Sequence, residues 1–528
     1  GEGAGADMTT GEHNTAIGYH TLFQGTTETD DNVAIGYNAM SGGWTTAVVN
    51  DCVVIGSGAG AGALVATASG ATLIGAGAGA TLTSGAGNIA IGLSALAAST
   101  QGDDNIAIGK LAMSTMAAQD GNDNNIAIGT NALLTAGAST NVATANVAIG
   151  TNALKLNQTG DYNVVVGISA GDALTAANNC VVVGTSALGA VATVDGTVAV
   201  GDQSLNALTS GGYNTAVGFQ SAKVLTSGAA NTAIGYKSLI SLVDGDRNTC
   251  LGYQAMYDLD SGTAADGSSD NIFIGVNSGA GAWVNVACNK NVAIGNYAMD
   301  AALNDVLNNV AIGYDSLGAL IGGGAGSQGQ DNTAVGYQSG DALTSGTQNT
   351  IIGSGADAGG VDLQNTTVIG YGTTGINASH TVTIGNASVE NVYMSQDKDA
   401  IVHCGGLNMS ALGNVGGMTD ETLDDYEEGT FTIGWAGASF SSVSHTTAYY
   451  TKIGNTVYFH HFNNGMTIAS TSGAATLTGL PFTSLSTGES YSQFTTVYNN
   501  SIDGSSPGGY IDTNSTTGTF VDLNNNSD

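Results

Sequence analysis

A chain of 528 residues that is only 9% charged and carries 81 glycines does not specify an ordinary globular core. Its 42 acidic residues against eight Lys and Arg give a formal charge of −34; this excludes nucleic acid as a partner, because a phosphate backbone demands the opposite sign, and it repels anionic membranes. Disorder is excluded as well, since 42% of the residues are apolar and recur at regular intervals.

The first 480 residues hold no proline, the two present being Pro481 and Pro507, as a continuous hydrogen-bonded ladder of strands prefers. No collagen-like glycine period and no run of about eighteen apolar residues occurs, so neither a triple helix nor a membrane-spanning helix is expected. The opening Gly1-Glu2-Gly3 has neither Met nor a signal peptide, and a missing leading segment is the expectation. The five cysteines, Cys52, Cys180, Cys250, Cys288 and Cys404, have the spacing neither of a zinc site nor of a disulfide framework. Cys52, Cys180 and Cys250 are expected inside repeat strands, as small apolar residues.

From the N-terminus onward the dominant signal is self-similarity. Aligned on one glycine, about twenty copies of an Asn-x-Ala-Ile-Gly motif run from Gly18, Gly36 and Gly56 to Gly353, Gly370 and Gly385, with seventeen residues as the commonest step. Longer steps, as between Gly252 and Gly275, carry their excess in polar stretches that read as loops on one edge. The residue before the glycine is always Ile, Val or Leu, and the one before that is usually Ala (Ala34, Ala107, Ala148). Asn stands four before the glycine in most copies (Asn32, Asn105, Asn231) and is expected to form a stacked capping ladder. A second segment ending in Ala/Ser-Leu/Met, as in Asn38-Ala39-Met40, reads as a second short strand. Helices are excluded, because Gly, Asn or Asp interrupts every five to eight residues.

The expected fold is therefore all-β: an elongated parallel β-solenoid. Its isoleucines are expected to fill the interior of each coil, and its alanine row to let three parallel solenoids approach closely about a common axis. One strand spacing per coil makes a rod on the order of 100 Å.

Asn32-Val33-Ala34-Ile35-Gly36 and its copies resemble the head repeat of trimeric autotransporter adhesins, the YadA-like left-handed β-roll. Copies worded Asn-Thr-Ala-Ile/Val-Gly-Tyr/Phe, at Asn14, Asn214, Asn231 and Asn332, look more like repeats of bacteriophage tail fibres. The resemblance covers roughly residues 8–390 and implies a trimeric left-handed roll.

Periodicity fades after Gly385, and residues 391–429, with the acidic run Asp424-Asp425-Tyr426-Glu427-Glu428, read as a neck between a rod over 1–390 and a tip over 430–528. In the tip, alternating runs at Thr430-Phe431-Thr432-Ile433, Tyr449 to Ile453, Thr456 to His460 and Ala474 to Thr478 predict a small antiparallel β-sandwich. The wording from Leu423 to Phe431, Tyr450 to Phe459 and Leu477 to Phe482 is similar to the C-terminal domain of many phage tail fibres, which implies a distal tip that contacts a host-surface receptor, often glycan.

No motif for nucleophilic, zinc-protease or phosphate chemistry occurs, so no catalytic residue, metal site or cofactor is expected. Asp424-Asp425 and Glu427-Glu428 read as solvated charges of the neck, since neighbours on an extended chain point apart. Asp30-Asp31, Asp103-Asp104 and Asn122-Asp123-Asn124 lack the spacing of calcium-binding β-helices and read as turns. His460-His461 reads as a sheet pair whose imidazoles face opposite sides. Recognition is expected from tip aromatics, with His460 beside them: Trp435, Tyr449, Tyr450, Tyr458, Phe462, Tyr491, Tyr498 and Tyr510, about half of which an alternating sandwich should bury.

The expectation is a trimeric viral fibre in the extracellular virion, with a host receptor and other virion tail proteins as partners. A bacterial trimeric adhesin is the first alternative, although the coiled coil and membrane-anchoring barrel it should end in are not visible. A depolymerase spike is the second. An ice-binding solenoid is disfavoured because no Thr-x-Thr ladder repeats at one place in the coils.

Overall fold

A computed structural model describes residues 1–23, 29–43, 48–64, 68–115, 121–135, 142–257, 267–281, 283, 287–323 and 328–392, and beyond these 407–408, 422–423, 427–436, 440–442, 447–453, 456–460, 467–468, 476–480, 492–495, 507–511 and 518–522. Among them every regular element is a strand. The chain divides into two compact units, Gly1–Glu390 and Asn391–Asp528.

The first unit is a parallel β-solenoid. Twenty-one strands of three residues, from Thr15–Ile17 to Val382–Ile384, form one sheet in which each strand pairs with the next copy in sequence. Register never slips: Thr215, Ala216 and Val217 lie opposite Thr232, Ala233 and Ile234, which lie opposite Thr249, Cys250 and Leu251. At one strand spacing per coil, the stack is on the order of 100 Å long.

Burial reverses the expected sidedness. The alanine row faces inward: Ala34, Ala90, Ala107 and Ala148 have no exposed surface, and they pack against the equally buried Leu or Met that in most coils follows the glycine by four residues, such as Met40, Leu96, Met113 and Leu154. The isoleucine row faces outward, with Ile128, Ile234 and Ile352 at 36%, 40% and 40% exposure. Strand alternation groups the residues into two faces but does not say which is inside. The coil cross-section decides: its interior is so narrow that one large side chain fills it, and Leu or Met already supplies that volume from the turn, leaving room for Ala opposite.

Four coils trade this volume across the interior. Their inward strand residue is larger and the turn residue four after the glycine is itself glycine, as in Val54 with Gly60, Leu73 with Gly79, Val165 with Gly171 and Phe273 with Gly279, whereas Val182 keeps Leu188 and Ala334 stands with Gly340. A Cβ on Gly79 or Gly279 would collide with the Leu73 or Phe273 side chain of its own coil.

The second segment is not a strand, contrary to the sequence expectation. It turns through residues alternately in the left-handed region, for example Lys237 and Leu239 at φ 53° and 54°. Its backbone is still laddered, Lys237 N donating to Phe219 O at 2.9 Å and Leu239 N to Ala255 O at 2.9 Å. The corner glycine before it sits near φ 137° in coil after coil, and a Cβ on Gly235 would strike the Gly252 carbonyl, so this column admits only glycine.

Two side-chain ladders close the opposite edge. In the asparagine row, the Asn231 backbone N donates to Asn214 Oδ1 (2.9 Å), and Asn231 Nδ2 donates to Asn214 Oδ1 (3.1 Å) and to Gly245 O (2.8 Å). Asn248 repeats the pattern on Asn231, and the row is buried. Cys52 and Cys180 stand in this row, just before the strand; only Cys250 lies within one. Two positions earlier an Asp, Asn or Ser oxygen accepts the backbone N–H of the preceding coil: Asp103 N donates to Asp123 Oδ1 (2.8 Å), Asn178 N to Asp195 Oδ1 (2.9 Å) and Ala229 N to Asp246 Oδ1 (2.7 Å). Much of the acidic edge is thus structural capping.

In the second unit, strands Glu427–Thr432, Thr447–Ile453 and Thr456–His460 form a three-stranded antiparallel sheet. Gly434–Ala436, Thr476–Thr478, Gly518–Asp522, Pro507–Ile511 and Ser492–Thr495 form a five-stranded antiparallel sheet in that order. Pro507 opens its strand, where its missing N–H does least harm. Ile433, Ala448 and Leu480 form a small core, with Phe431 and Phe459 packed against it.

Candidate functional site

The outward sheet face runs the length of the rod. The first strand residue of each coil (Val33, Ile106, Val164, Ile272) and the isoleucine row form two parallel files of mostly β-branched side chains along 21 strands. Two such files over the stack present on the order of 1,000 Å² of apolar sheet, above the few hundred Å² that monomeric proteins ordinarily leave exposed. Parallel sheets are almost always covered on both faces, and here the inner face alone is.

A third outward file follows the corner glycine. Phe219, Tyr236 and Tyr253 stack on successive coils with ring centroids 5.4 and 5.1 Å apart and planes within 10° of parallel. Tyr19 and Tyr37 form a second stack at 5.4 Å, and Tyr314 and Tyr337 a third at 5.4 Å. Polar side chains run alongside: Gln220 Nε2 donates to Gln203 Oε1 at 3.2 Å, Lys237 Nζ lies 5.4 Å from the Tyr236 ring centroid, and Gln338 Nε2 donates to Asp315 Oδ2 at 3.1 Å. The sequence reading met these rings only as wording after the glycine; their identical place in each copy was the available signal.

On the second unit, Tyr449, Tyr458 and His460 share the outward face of the three-stranded sheet. Tyr449 and Tyr458 are 54% and 65% exposed, and the Tyr449 and His460 rings, opposite each other across the strands, stack at 5.5 Å. Tyr450 faces the other way, its ring over Gly429 and beside Phe431, which takes it out of the exposed set. Trp435 and Tyr510 lie on strands of the five-stranded sheet. Phe462, Tyr491 and Tyr498, and likewise His461, Asp424, Asp425 and Cys404, lie outside the described residues.

Elsewhere the titratable groups serve the stack. Arg247 bridges to Asp270 of the next coil through Nε–Oδ1 (2.6 Å) and Nη2–Oδ2 (3.1 Å), and this hydrogen bonding holds the Asp270 carboxyl below its ordinary range. Asp270 also lines a polar depression of about 350 Å³ with Ser269, Asn289, Lys290 and Asn308. Burial pushes the Cys180 thiol up to about 11, Cys288 to about 12 and Cys250 higher still, which keeps them as unreactive thiols. Among the described residues no three His, Cys, Asp or Glu side chains are grouped to hold a metal ion, and no helix is long and apolar enough to cross a membrane.

Among the described residues the surface features are faces, one along the rod and aromatic ones on both units. Comparison with protein-family models, with curated proteins and with solved structures yields no match.

Proposed function

We propose that this chain is a structural fibre protein of a virus, of the phage tail-fibre kind, in which three copies of the rod associate lengthwise and the C-terminal unit recognises the host surface. The observation that carries this reading is the outward face of the 21 strands, with Ile, Val or Leu at the third position of each and Ile, Val or Thr at the first, which this chain itself leaves uncovered. Completing the burial of a side chain that is already about two-thirds covered recovers roughly 0.5–1 kcal/mol. Repeated over two files, that exceeds the association cost of about 4–15 kcal/mol. The alanine row cannot serve as the contact, since it lies inside the coil; the isoleucine row takes its place.

In this reading the protein is a passive binder in the extracellular virion, attached to other tail proteins at one end and to a host receptor, glycan included, at the other. Tyr449, Tyr458 and His460 form the recognising face. Full-length protein is expected to bind host cells, and Tyr458→Ala to weaken that binding about tenfold, as loss of an exposed aromatic anchor does. Unchanged binding by Tyr458→Ala and Tyr449→Ala together would remove recognition from this face.

A further inference from the structure

The Phe219, Tyr236 and Tyr253 stack has no part in the fold that requires aromatic rings. Other coils fill the same position with Ser57, Ala76, Thr130 or Ser354 and keep the same strand and turn. The three rings are 41%, 40% and 48% exposed. Their centroids are 5.4 and 5.1 Å apart, more than the contact separation of about 3.5–4.0 Å between stacked carbons. The rings are thus loosely stacked, and each keeps an exposed part toward solvent.

Beside each ring stands a long polar side chain, Gln220, Lys237 and Gln254 in turn, one residue on and in the left-handed region, with φ between 53° and 54°. Aromatic steps flanked by amide and ammonium donors suit a ligand that offers apolar C–H faces and hydroxyl edges together. The steps recur at the coil spacing, which is close to the rise of one sugar unit along an extended glycan chain. The formal charge of −34 repels a polymer of carboxylates or sulfates.

We infer that Phe219, Tyr236 and Tyr253, with Gln220, Lys237 and Gln254, form a rod-borne binding strip for a neutral, linear polysaccharide lying along the solenoid axis, one sugar unit to each coil. The strip goes beyond the fibre reading, because it lies on the rod and not on the C-terminal unit. Each sugar packs its C–H groups against the exposed part of one ring, while the adjoining Gln or Lys donates to its hydroxyls. Lys237, whose ammonium already lies near the Tyr236 ring, orients the central subsite.

The test is calorimetric titration of the full chain with three neutral hexasaccharides, cellohexaose, chitohexaose and maltohexaose, and with an acidic alginate hexasaccharide. At least one neutral hexasaccharide is expected to bind, and to bind about tenfold more weakly to Tyr236→Ala and to Tyr253→Ala. Tyr236→Phe should keep most of the affinity, and Gln254→Ala should lose part of it. Ser354→Ala, at the same position of a coil that lacks the ring stack, should change nothing, and recognition by the C-terminal unit is read separately in host-cell binding by Tyr458→Ala. Failure of every neutral probe to bind, binding of alginate alone, or equal affinity in Tyr236→Ala would overturn the assignment. A change of oligomeric mass in Tyr236→Ala would also overturn it, since the rings would then be covered by another copy of the chain.

Discussion

Asn231 ties three coils together through one amide, and its neighbours in the row do the same. Its Oδ1 accepts from Asn248 N at 2.9 Å and from Asn248 Nδ2 at 3.0 Å, while its own Nδ2 satisfies Gly245 O. Asn231→Ala strands a buried N–H and a buried carbonyl, at about 1–3 kcal/mol each. The variant should lose on the order of 2–4 kcal/mol in urea unfolding, with hydrogen exchange fastest in the coils either side, because a solenoid fails locally first. Asn231→Asp should be worse, since it buries a charge and turns an acceptor toward the Asn214 and Gly245 oxygens.

Several coils balance their interior volume between one strand residue and one turn residue, and Phe273 with Gly279 is the extreme case. Trp283, itself buried, packs beside it, its ring 5.7 Å from Phe273 and its Nε1 donating to Gly279 O at 2.9 Å. Phe273→Ala should cost about 3–5 kcal/mol through the cavity it leaves. Adding Gly279→Leu rebuilds the common Ala and Leu pairing, so the double variant should recover most of that loss in a double-mutant cycle, where simple additivity would speak against the volume rule.

A second element-scale consequence concerns acid. Burial first, and the charge of Asp315 second, push the Asp300 carboxyl up to about 6. Burial also raises Asp341 and Asp357 on the following coils. A raised carboxyl holds its proton in the folded coil at pH values where the unfolded chain has released it. This stretch is therefore most stable below the ordinary carboxylate value near 4, loses stability as pH rises toward about 6, and is level above that. Asp300→Asn should raise the melting temperature at pH 7 and flatten its slope between pH 4 and 6; an unaltered slope would contradict the assignment.

The sequence made the repeat, its register and the asparagine ladder legible, because each depends only on which residue types recur at one spacing. Sidedness was not legible. Val33, Ala34 and Ile35 alternate in either orientation, and size alone pointed the isoleucines inward; the deciding fact, that Met40 enters the same coil from the turn, is a three-dimensional one. The second segment read as a strand for a similar reason, since Leu239 in the left-handed region is a conformation that local propensity disfavours and the stacked ladder enforces. Of the tip aromatics, alternation alone separates Tyr449 from Tyr450, but not which of the two is exposed.

At the scale of the whole molecule, the outward files of β-branched side chains support the proposed assembly. A strand face this long and regular is the surface on which another copy of the chain is proposed to pack. Charges on that face should therefore act on assembly and leave the coil interior alone. The direct measurement is the mass of the full-length protein by sedimentation equilibrium, beside a variant carrying Ile108→Asp, Ile149→Asp and Ile234→Asp. The account predicts three chains for the unaltered protein and one for the variant, with the β-sheet circular dichroism preserved. A single chain for the unaltered protein, or three for the variant, would contradict it.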